Sequence, residues 1–225
     1  RWGGSPAERL ASDGAVVPRP RRVCPADIGP HADAGYTGYH AAKKAVGGLN
    51  PGDAAVVIGI GGLGHIGLQC LREMSAADLI AVDIKESARQ LADDLGAQYT
   101  VDPESEDVAD AVGDITDGAG AAQVLDFVGA DETTALAPDL CAAGGDHHII
   151  GYGGHIHEPA QALVNGEFAF QGNIVGRYAE LQELVALVER EAVNLHTTRY
   201  DLDAVNEVAE QLEDGEIDGR AVITP

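Results

Sequence analysis

The segment from residue 54 to residue 74 joins a short apolar run to a glycine-rich turn and then to helix-forming residues. The run 54–60 is apolar on both faces, as in a central strand of a parallel sheet. We expect a helix to follow from about Gly64 to Met74. A chain containing this segment is predicted to fold around a strand–turn–helix unit.

The turn itself, Gly59-Ile60-Gly61-Gly62-Leu63-Gly64, matches the pattern GxGxxG. In that pattern the first glycine makes a tight turn, the second lets the backbone approach a pyrophosphate, and the third allows close packing of helix on strand. The helix N-terminus adds free N–H groups and the positive end of its dipole. We therefore predict that Gly59, Gly61, Gly62, Leu63 and Gly64 bind a dinucleotide diphosphate; the alternative is a glycine-rich turn that binds nothing.

Asp83 ends the next apolar run, about 20 residues after the last glycine, where an acid meets the ribose hydroxyls of the adenosine. A carboxylate there repels a 2′-phosphate and favours NAD. Lys85 and Arg89 lie nearby and leave NADP open as the alternative.

Strand-like and helix-like segments alternate through the middle of the chain, which predicts an α/β fold with a doubly wound parallel sheet. The expected strands are residues 54–60, 79–83, 98–101, 123–128, 148–152 and 168–175. The expected helices between them are residues 64–74, 86–95, 108–115 and 132–140. An earlier helix over 33–45, opened by Asp33 as its capping residue, later helices over 179–190 and 201–212, and a strand over 220–223 complete the prediction.

The formal charge of −23 argues against nucleic acid and against anionic membranes as partners. Because 45% of the residues are hydrophobic and periodically placed, the chain is predicted to be folded rather than disordered. A folded protein this acidic is typical of the cytoplasm of a halophile, where salt screens the repulsion. No apolar run approaches the roughly 20 residues that cross a bilayer. Cys24, Cys70 and Cys141 are too far apart in sequence to indicate a zinc knuckle.

The chain resembles the medium-chain, zinc-dependent alcohol dehydrogenase family. The resemblance rests on Gly3-Gly4 with Ala7-Glu8 and on the segments DAGYTGYHAAKKA, NPGDAAVVIGIGGLGHIGLQCL, AVDIKESARQLADDLGA, VLDFVGA, VGRYAELQELV and GRAVITP. It implies a Rossmann domain with the ends of a GroES-like catalytic domain at both termini. The expected division is a catalytic-domain remnant at 1–32, an NAD-binding domain at 33–176 and a return to the catalytic domain at 177–225.

The same resemblance implies roles for individual residues. Asp33 takes the place of the third protein ligand of the catalytic zinc, although an ordinary helix cap is the alternative. Thr37 is expected beside the nicotinamide, and Arg220 is expected to reach the pyrophosphate, with a plain solvated charge as its alternative. The strand ends at Val128 and Gly129 and at Gly151 and Tyr152 are expected to touch the cofactor through their backbones.

The other zinc ligands, the proton-relay hydroxyl and the structural zinc lobe of the family are not found in this sequence. Since a catalytic zinc uses three protein ligands, Asp33 alone does not hold one. The histidine pairs His147-His148 and His155-x-His157 are more typical of surface or hydrogen-bonded residues than of substitute ligands. With Met74 as its only methionine, the chain is expected to be a fragment.

We expect the complete protein to transfer hydride between a small alcohol and NAD, giving a ketone or aldehyde, with zinc as Lewis acid. Polyols and sugars remain open as substrates. Two alternatives are a non-catalytic NAD-binding remnant of a split or decayed dehydrogenase, and a zinc-free relative of the NADPH-dependent quinone reductases. The family resemblance also implies a homo-oligomer, a dimer or tetramer, paired through the strand near 168–175.

Overall fold

A computed structural model describes residues 16–18 and 20–224 of the chain. Gly3, Gly4, Ala7 and Glu8, which contribute to the family resemblance, lie outside these residues, as does half of the predicted segment 1–32. No helix of the described part is long and apolar enough to cross a membrane.

Six parallel strands form the main sheet in the order β3-β2-β1-β4-β5-β6. They are β1 (Ala54–Ile58), β2 (Asp78–Val82), β3 (Tyr99–Val101), β4 (Ala121–Asp126), β5 (Cys141–Ile149) and β6 (Ala169–Gly172). A separate two-stranded parallel sheet pairs β7 (Thr197–Asp201) with β8 (Arg220–Thr224). The order reverses between β1 and β4, so the predicted doubly wound sheet is confirmed.

The longer helices connect successive strands or precede the sheet. The helices are α1 (Pro25–Ile28), α2 (Ala34–Val46), α3 (Gly64–Met74), α4 (Glu86–Asp94), α5 (Val108–Ile115), α6 (Asp131–Thr134), α7 (Ala137–Leu140), α8 (Ala160–Gly166), α9 (Tyr178–Glu189) and α10 (Val205–Glu213). Short 3₁₀ turns at Gly29–Ala32 and Leu202–Ala204 precede α2 and α10.

Two apolar clusters cover the two faces of the sheet. One packs α2, α3 and α9 against alternate residues of β1, including Ala55 and Val57. The other packs α5 against the opposite residues, Val56 and Ile58. Every residue of β1 is buried, as its continuous apolar run predicts. Because the strands are parallel, their carboxyl ends lie at one edge of the sheet, where the candidate site is found.

Several predicted boundaries are wrong. The strand predicted at 148–152 runs from Cys141 to Ile149, and the helix predicted at 132–140 is divided into α6 and α7. Pro138 lies in the first turn of α7, where its missing N–H costs no helical hydrogen bond. The helix predicted at 201–212 begins later, because Asp201 belongs to β7.

Candidate cofactor-binding site

The glycine-rich turn leaves β1 at Ile58 and enters α3 at Gly64, as predicted. Gly59 has φ +84°, a conformation that side chains rarely adopt. A Cβ on Gly64 would collide with the carbonyl oxygen of Gly59, so the turn closes only with glycine there. A Cβ on Gly61 would meet no atom within 4 Å. The turn is therefore tight at its ends and open at Gly61.

Four successive backbone N–H groups of this turn lack an acceptor among residues 16–18 and 20–224. They belong to Gly61, Gly62, Leu63 and Gly64. All of them precede or open α3, whose N-terminal end carries the positive pole of the helix dipole. Unpaired backbone donors at the positive end of a helix can bind a diphosphate without help from charged side chains.

Asp83 follows the end of β2 and faces the turn. Its Oδ2 accepts a hydrogen bond from the N–H of Ile60 at 2.7 Å, and its Oδ1 accepts one from the N–H of Lys85 at 2.9 Å. Each carboxylate oxygen keeps a further lone pair for a ribose hydroxyl. The carboxylate therefore fixes the turn and also gives the cleft a negative acceptor.

The two cations near Asp83 are engaged elsewhere. Arg89 donates to the backbone carbonyls of Asp83 and Ile84 at 2.8 and 2.9 Å, and it pairs with Asp102 at 3.1 Å. The ammonium of Lys85 bonds to the carbonyl oxygen of Gly215. Both cations thus already have hydrogen-bond partners, which, together with the negative charge of Asp83, supports the NAD prediction.

A cleft of about 320 Å³ lies between the turn, the ends of β2 and β4, and the segment before β8. Among the predicted residues, its lining includes Gly59, Gly61, Gly62, Leu63, Gly64, Asp83 and Val128. The lining also includes Lys85 and residues that the sequence analysis did not single out: Ile84, Phe127, Ile217, Asp218 and Gly219. Residues 217–219 could not be found from local patterns, because β8 brings them to the cleft from far along the chain.

Arg220 begins β8 and lies beside the turn. A Cβ on Gly62 would come within 2.9 Å of its Cδ and 3.3 Å of one guanidinium nitrogen. The second terminal nitrogen of Arg220, Nη2, is 3.7 Å from Oδ2 of Asp33. The structure thus places the Arg220 cation beside the glycine-rich turn.

His65, the second residue of α3, joins the turn to the residue before β7. One ring nitrogen, Nδ1, contacts the carbonyl oxygen of Gly61 at 2.7 Å, and the other, Nε2, accepts the N–H of His196 at 3.2 Å. The side chain is fully buried, and burial lowers its pKa to about 4. A neutral ring with hydrogen on Nδ1 satisfies both contacts. Sequence analysis missed this role, although a histidine directly after the glycine-rich motif was a visible signal.

The strand end of β4 is held by Asp126, a buried carboxylate. Its Oδ1 accepts the N–H groups of Val128 and Gly129 at 2.9 and 2.8 Å, and its Oδ2 accepts the hydroxyl of Thr133 at 2.7 Å. Burial alone would raise the pKa of Asp126, but these bonds and His147 at 3.5 Å lower it. An acid within an apolar strand was the signal that sequence analysis did not use.

The glycines at the ends of β4 and β5 are adjacent. Gly129 has φ +63°, and a Cβ on it would collide with the carbonyl oxygen of Gly151. A Cβ on Gly151 would collide in turn with the carbonyl oxygen of Val128. Tyr152 points away, with 94% of its surface exposed. The predicted backbone contacts of Val128, Gly129 and Gly151 are thus brought together, whereas the ring of Tyr152 is in solvent.

Asp33 stands at the N-cap position of α2, but its side chain does not cap the helix. Its backbone φ and ψ are −133° and −76°, and its exposed carboxylate faces Arg220 instead. The prediction of a capping side chain is therefore wrong. Thr37, one turn later, is buried and donates its hydroxyl to the carbonyl oxygen of Asp33 at 2.6 Å.

The described residues do not make up a catalytic zinc site at Asp33. Among residues 16–18 and 20–224, Asp33 belongs to no group of three histidine, cysteine or acidic side chains with donor atoms close together. A catalytic zinc uses three protein ligands.

The histidine pairs have different environments. His147 and His148 are fully buried in β5, and Nε2 of His148 contacts Oε1 of Gln123 at 2.7 Å. His155 and His157 are exposed in the loop after β5. The prediction that these pairs are surface or hydrogen-bonded residues therefore describes His148 and the second pair.

The sequence of residues 62–190 matches the family of zinc-binding dehydrogenases. The chain belongs to this family. Over 234 aligned residues it is 30% identical to the NAD-dependent alcohol dehydrogenase of Sulfurisphaera tokodaii, covering 100% of this chain and 67% of that protein. The predicted membership of the zinc-type, NAD-dependent alcohol dehydrogenase family is thereby confirmed.

Solved structures of two relatives share the architecture. The alcohol dehydrogenase of the archaeon Aeropyrum pernix superimposes with a TM-score of 0.87 at 40% identity, over 92% of this chain and 60% of that one. Acetophenone reductase from Geotrichum candidum, solved in complex with NAD, gives a TM-score of 0.81 at 30% identity, over 93% and 58%. The chain thus spans roughly three fifths of these two proteins.

Proposed function

We propose that this chain supplies the NAD-binding part of a dehydrogenase that interconverts small alcohols, polyols or sugars with their ketones or aldehydes. The observation that carries the proposal is the row of four unpaired N–H groups at the N-terminus of α3, next to the Asp83 carboxylate. Bound NAD supplies a nicotinamide carbon that accepts or returns the hydride.

The chain's own residues hold and orient the cofactor. Gly61 to Gly64 donate to the diphosphate, and Arg220 places a positive charge beside it. The Asp83 carboxylate accepts hydrogen bonds from the ribose hydroxyls. The backbones of Val128, Gly129 and Gly151, fixed by Asp126, face the nicotinamide half, with Thr37 against the ring and Tyr152 at the rim. Such positioning converts binding energy into a favourable approach of the reacting atoms.

Asp33 stays a proposed zinc ligand. Zinc binding there requires further protein ligands from outside the described residues, and the Asp33 carboxylate must also separate from the Arg220 guanidinium. The alternative of a non-catalytic, NAD-binding remnant needs no further zinc ligands. A zinc-free, NADPH-dependent relative is less well supported, because Asp83 faces the cleft and both nearby cations are engaged.

Calorimetric titration of the chain with NAD and NADP tests the cofactor proposal. We expect NAD to bind more tightly, and Asp83→Asn to reduce the ratio of the two affinities at least tenfold, since the substitution removes the charge that repels a 2′-phosphate. Tighter binding of NADP by the parent chain, or no binding of either nucleotide, would overturn the proposal.

We also propose that the chain forms a homo-oligomer through β6. This strand ends the main sheet, so one side of its backbone has no neighbouring strand within the described part. Ile174, just beyond it, is 78% exposed. Light scattering after gel filtration should show a dimer or tetramer that Ile174→Lys dissociates. Leu212→Lys, at an exposed position of α10, should leave the mass unchanged, and a monomeric parent chain would refute the interface.

The acidic surface supports a proposed location in the cytoplasm of a halophile. Cys24, Cys70 and Cys141 are free, as in a reducing compartment. High salt screens the repulsion between carboxylates that accompanies the net charge of −23.

A further inference from the structure

The loop that follows β5 crosses the start of α6 on the protein surface. It places His155 and His157 beside Asp131, and one donor atom from each side chain lies within 4.8 Å of the others. The rings of the two histidines have centroids 5.5 Å apart. Residues 16–18 and 20–224 contain no other group of three such side chains this close together. Neither the cleft nor the expected catalytic zinc site includes these residues.

The crossing is held by backbone contacts that do not depend on the histidine rings. The N–H of His155 donates to Oδ1 of Asp131 at 2.5 Å, and the hydroxyl of Thr134 donates to the carbonyl oxygen of His155 at 2.8 Å. The N–H of Gly154 donates to the carbonyl oxygen of Gly129 at 2.8 Å. The main chain therefore fixes the positions from which Asp131 and His155 project.

Gly154 shows how closely the two segments approach. A Cβ at this position would lie 2.6 Å from Oδ1 of Asp131 and would collide with the backbone of residues 130 and 131. Only glycine lets the loop bring His155 against the carboxylate. The juxtaposition is thus built into the packing rather than made by long flexible side chains alone.

We propose that Asp131, His155 and His157 bind a divalent transition-metal ion such as Zn²⁺. Two imidazoles and one carboxylate form a donor set that suits zinc, and water would complete the coordination. The side chains of His155 and Asp131 are 73% and 53% exposed, so an ion reaches them directly from solvent.

Only small side-chain movements are needed. Donor atoms around a tetrahedral zinc lie about 3.4 Å apart, so the present group must close by roughly 1 Å. Exposed imidazoles make such rotations freely.

The bound ion would join the loops that follow β4 and β5. These loops carry Gly129 and Gly151, whose backbones abut at the edge of the sheet. The ion is therefore a surface clamp that stabilises this edge, and it does not depend on whether the protein catalyses hydride transfer.

Calorimetric titration of the chelator-treated chain with ZnCl₂ tests the proposal. We expect one ion per chain with a dissociation constant in the micromolar range or below. His157→Ala and Asp131→Asn should each weaken binding at least tenfold, since the first removes an imidazole ligand and the second removes the negative charge of the carboxylate. Asp131→Asn keeps an oxygen acceptor for the N–H of His155, so the loop is retained.

His196→Ala is the matched control, since His196 is an exposed histidine outside the group. Zinc should bind this variant as it binds the parent chain. Absence of one-to-one binding by the parent, or equal affinity in the parent, His157→Ala and Asp131→Asn, would overturn the proposal. Unchanged far-ultraviolet circular dichroism of the variants ensures that any loss of binding is not a loss of fold.

Discussion

Gly61 and Gly64 belong to the same turn, but the space at their missing side chains differs. At Gly64 a methyl group would collide with the carbonyl oxygen of Gly59, whereas at Gly61 it would enter open space. Gly64 is required by the fold, whereas Gly61 leaves room that a ligand can fill. The GxGxxG pattern alone does not separate these two requirements.

Substitution by alanine should separate them. We expect Gly64→Ala to lower the free energy of unfolding by about 1–3 kcal/mol, the usual cost of overpacking. Gly61→Ala should leave the unfolding free energy nearly unchanged but weaken NAD binding about tenfold, equivalent to about 1.4 kcal/mol. Urea denaturation and calorimetry measure the two quantities. Equal effects of both substitutions on stability would contradict this division.

At the scale of elements, Arg72 of α3 ties two neighbouring segments to the helix. Its guanidinium donates to the carbonyl oxygen of Leu95 at 2.6 Å, after α4, and to that of Ala192 at 2.9 Å, after α9. Both carbonyls stand near helix C-termini, where cations are favourable. One side chain therefore fixes the ends of two helices relative to the third.

We expect Arg72→Met, which keeps the apolar stem, to lower the free energy of unfolding by about 1–2 kcal/mol because two charged hydrogen bonds are lost. Arg22→Met is the control. The Arg22 side chain is 82% exposed, and its Nη2 lies 3.9 Å from Oε1 of Glu189. An ion pair of that kind contributes little, so the control should change stability by less than about 0.5 kcal/mol. Similar urea midpoints for both variants would refute the role of Arg72.

Elements whose signals are local were predicted well. The bounds of α3 and α5 agree with the structure, because apolar periodicity and turn residues mark both ends. By contrast, β5 includes two glycines and an acid, and Gly144 has φ +78°, so its pattern is not that of a strand. The polar strand β7 was missed because only its pairing with β8 makes it a strand.

The same distinction holds for the candidate site. The turn and Asp83 were predicted because their spacing lies within one βαβ unit. Asp126 was overlooked, and its role depends on which N–H groups the β4 loop presents to it. The lining at 217–219 depends on tertiary packing that no local pattern encodes.

At the scale of the whole molecule, three buried histidines make stability depend on pH. Burial lowers the pKa values of His31, His65 and His148 to about 4 from the ordinary 6.5. Between these values the unfolded chain binds more protons than the folded chain. Their contribution to stability is therefore complete above about pH 6.5 and is lost as the pH falls toward 4.

We expect the free energy of unfolding near pH 5 to fall by roughly 1 kcal/mol per pH unit for each of these histidines. Urea denaturation across pH 7.5 to pH 5 measures the slope. Nuclear magnetic resonance of the imidazoles should show all three rings neutral at pH 5.5. A flat stability profile, or titration of these rings near pH 6.5, would contradict the expectation.

The acidic surface sets the response of the whole molecule to salt. With a net charge of −23, repulsion between carboxylates opposes the compact state. Raising KCl from about 0.15 M to about 1 M shortens the Debye length from about 8 Å to about 3 Å and screens this repulsion. We expect the unfolding temperature to rise with KCl but to rise less with an uncharged osmolyte at equal osmotic strength. An equal rise with both solutes would show that screening is not the cause.

The double engagement of Asp83 limits how readily this cofactor site could change its preference. The carboxylate that would discriminate against a 2′-phosphate also receives the N–H groups of Ile60 and Lys85. A substitution that admits the larger nucleotide would at the same time loosen the turn that holds the diphosphate. Conversion to NADP use, by evolution or by engineering, would therefore require a compensating change in the turn together with the loss of the acid.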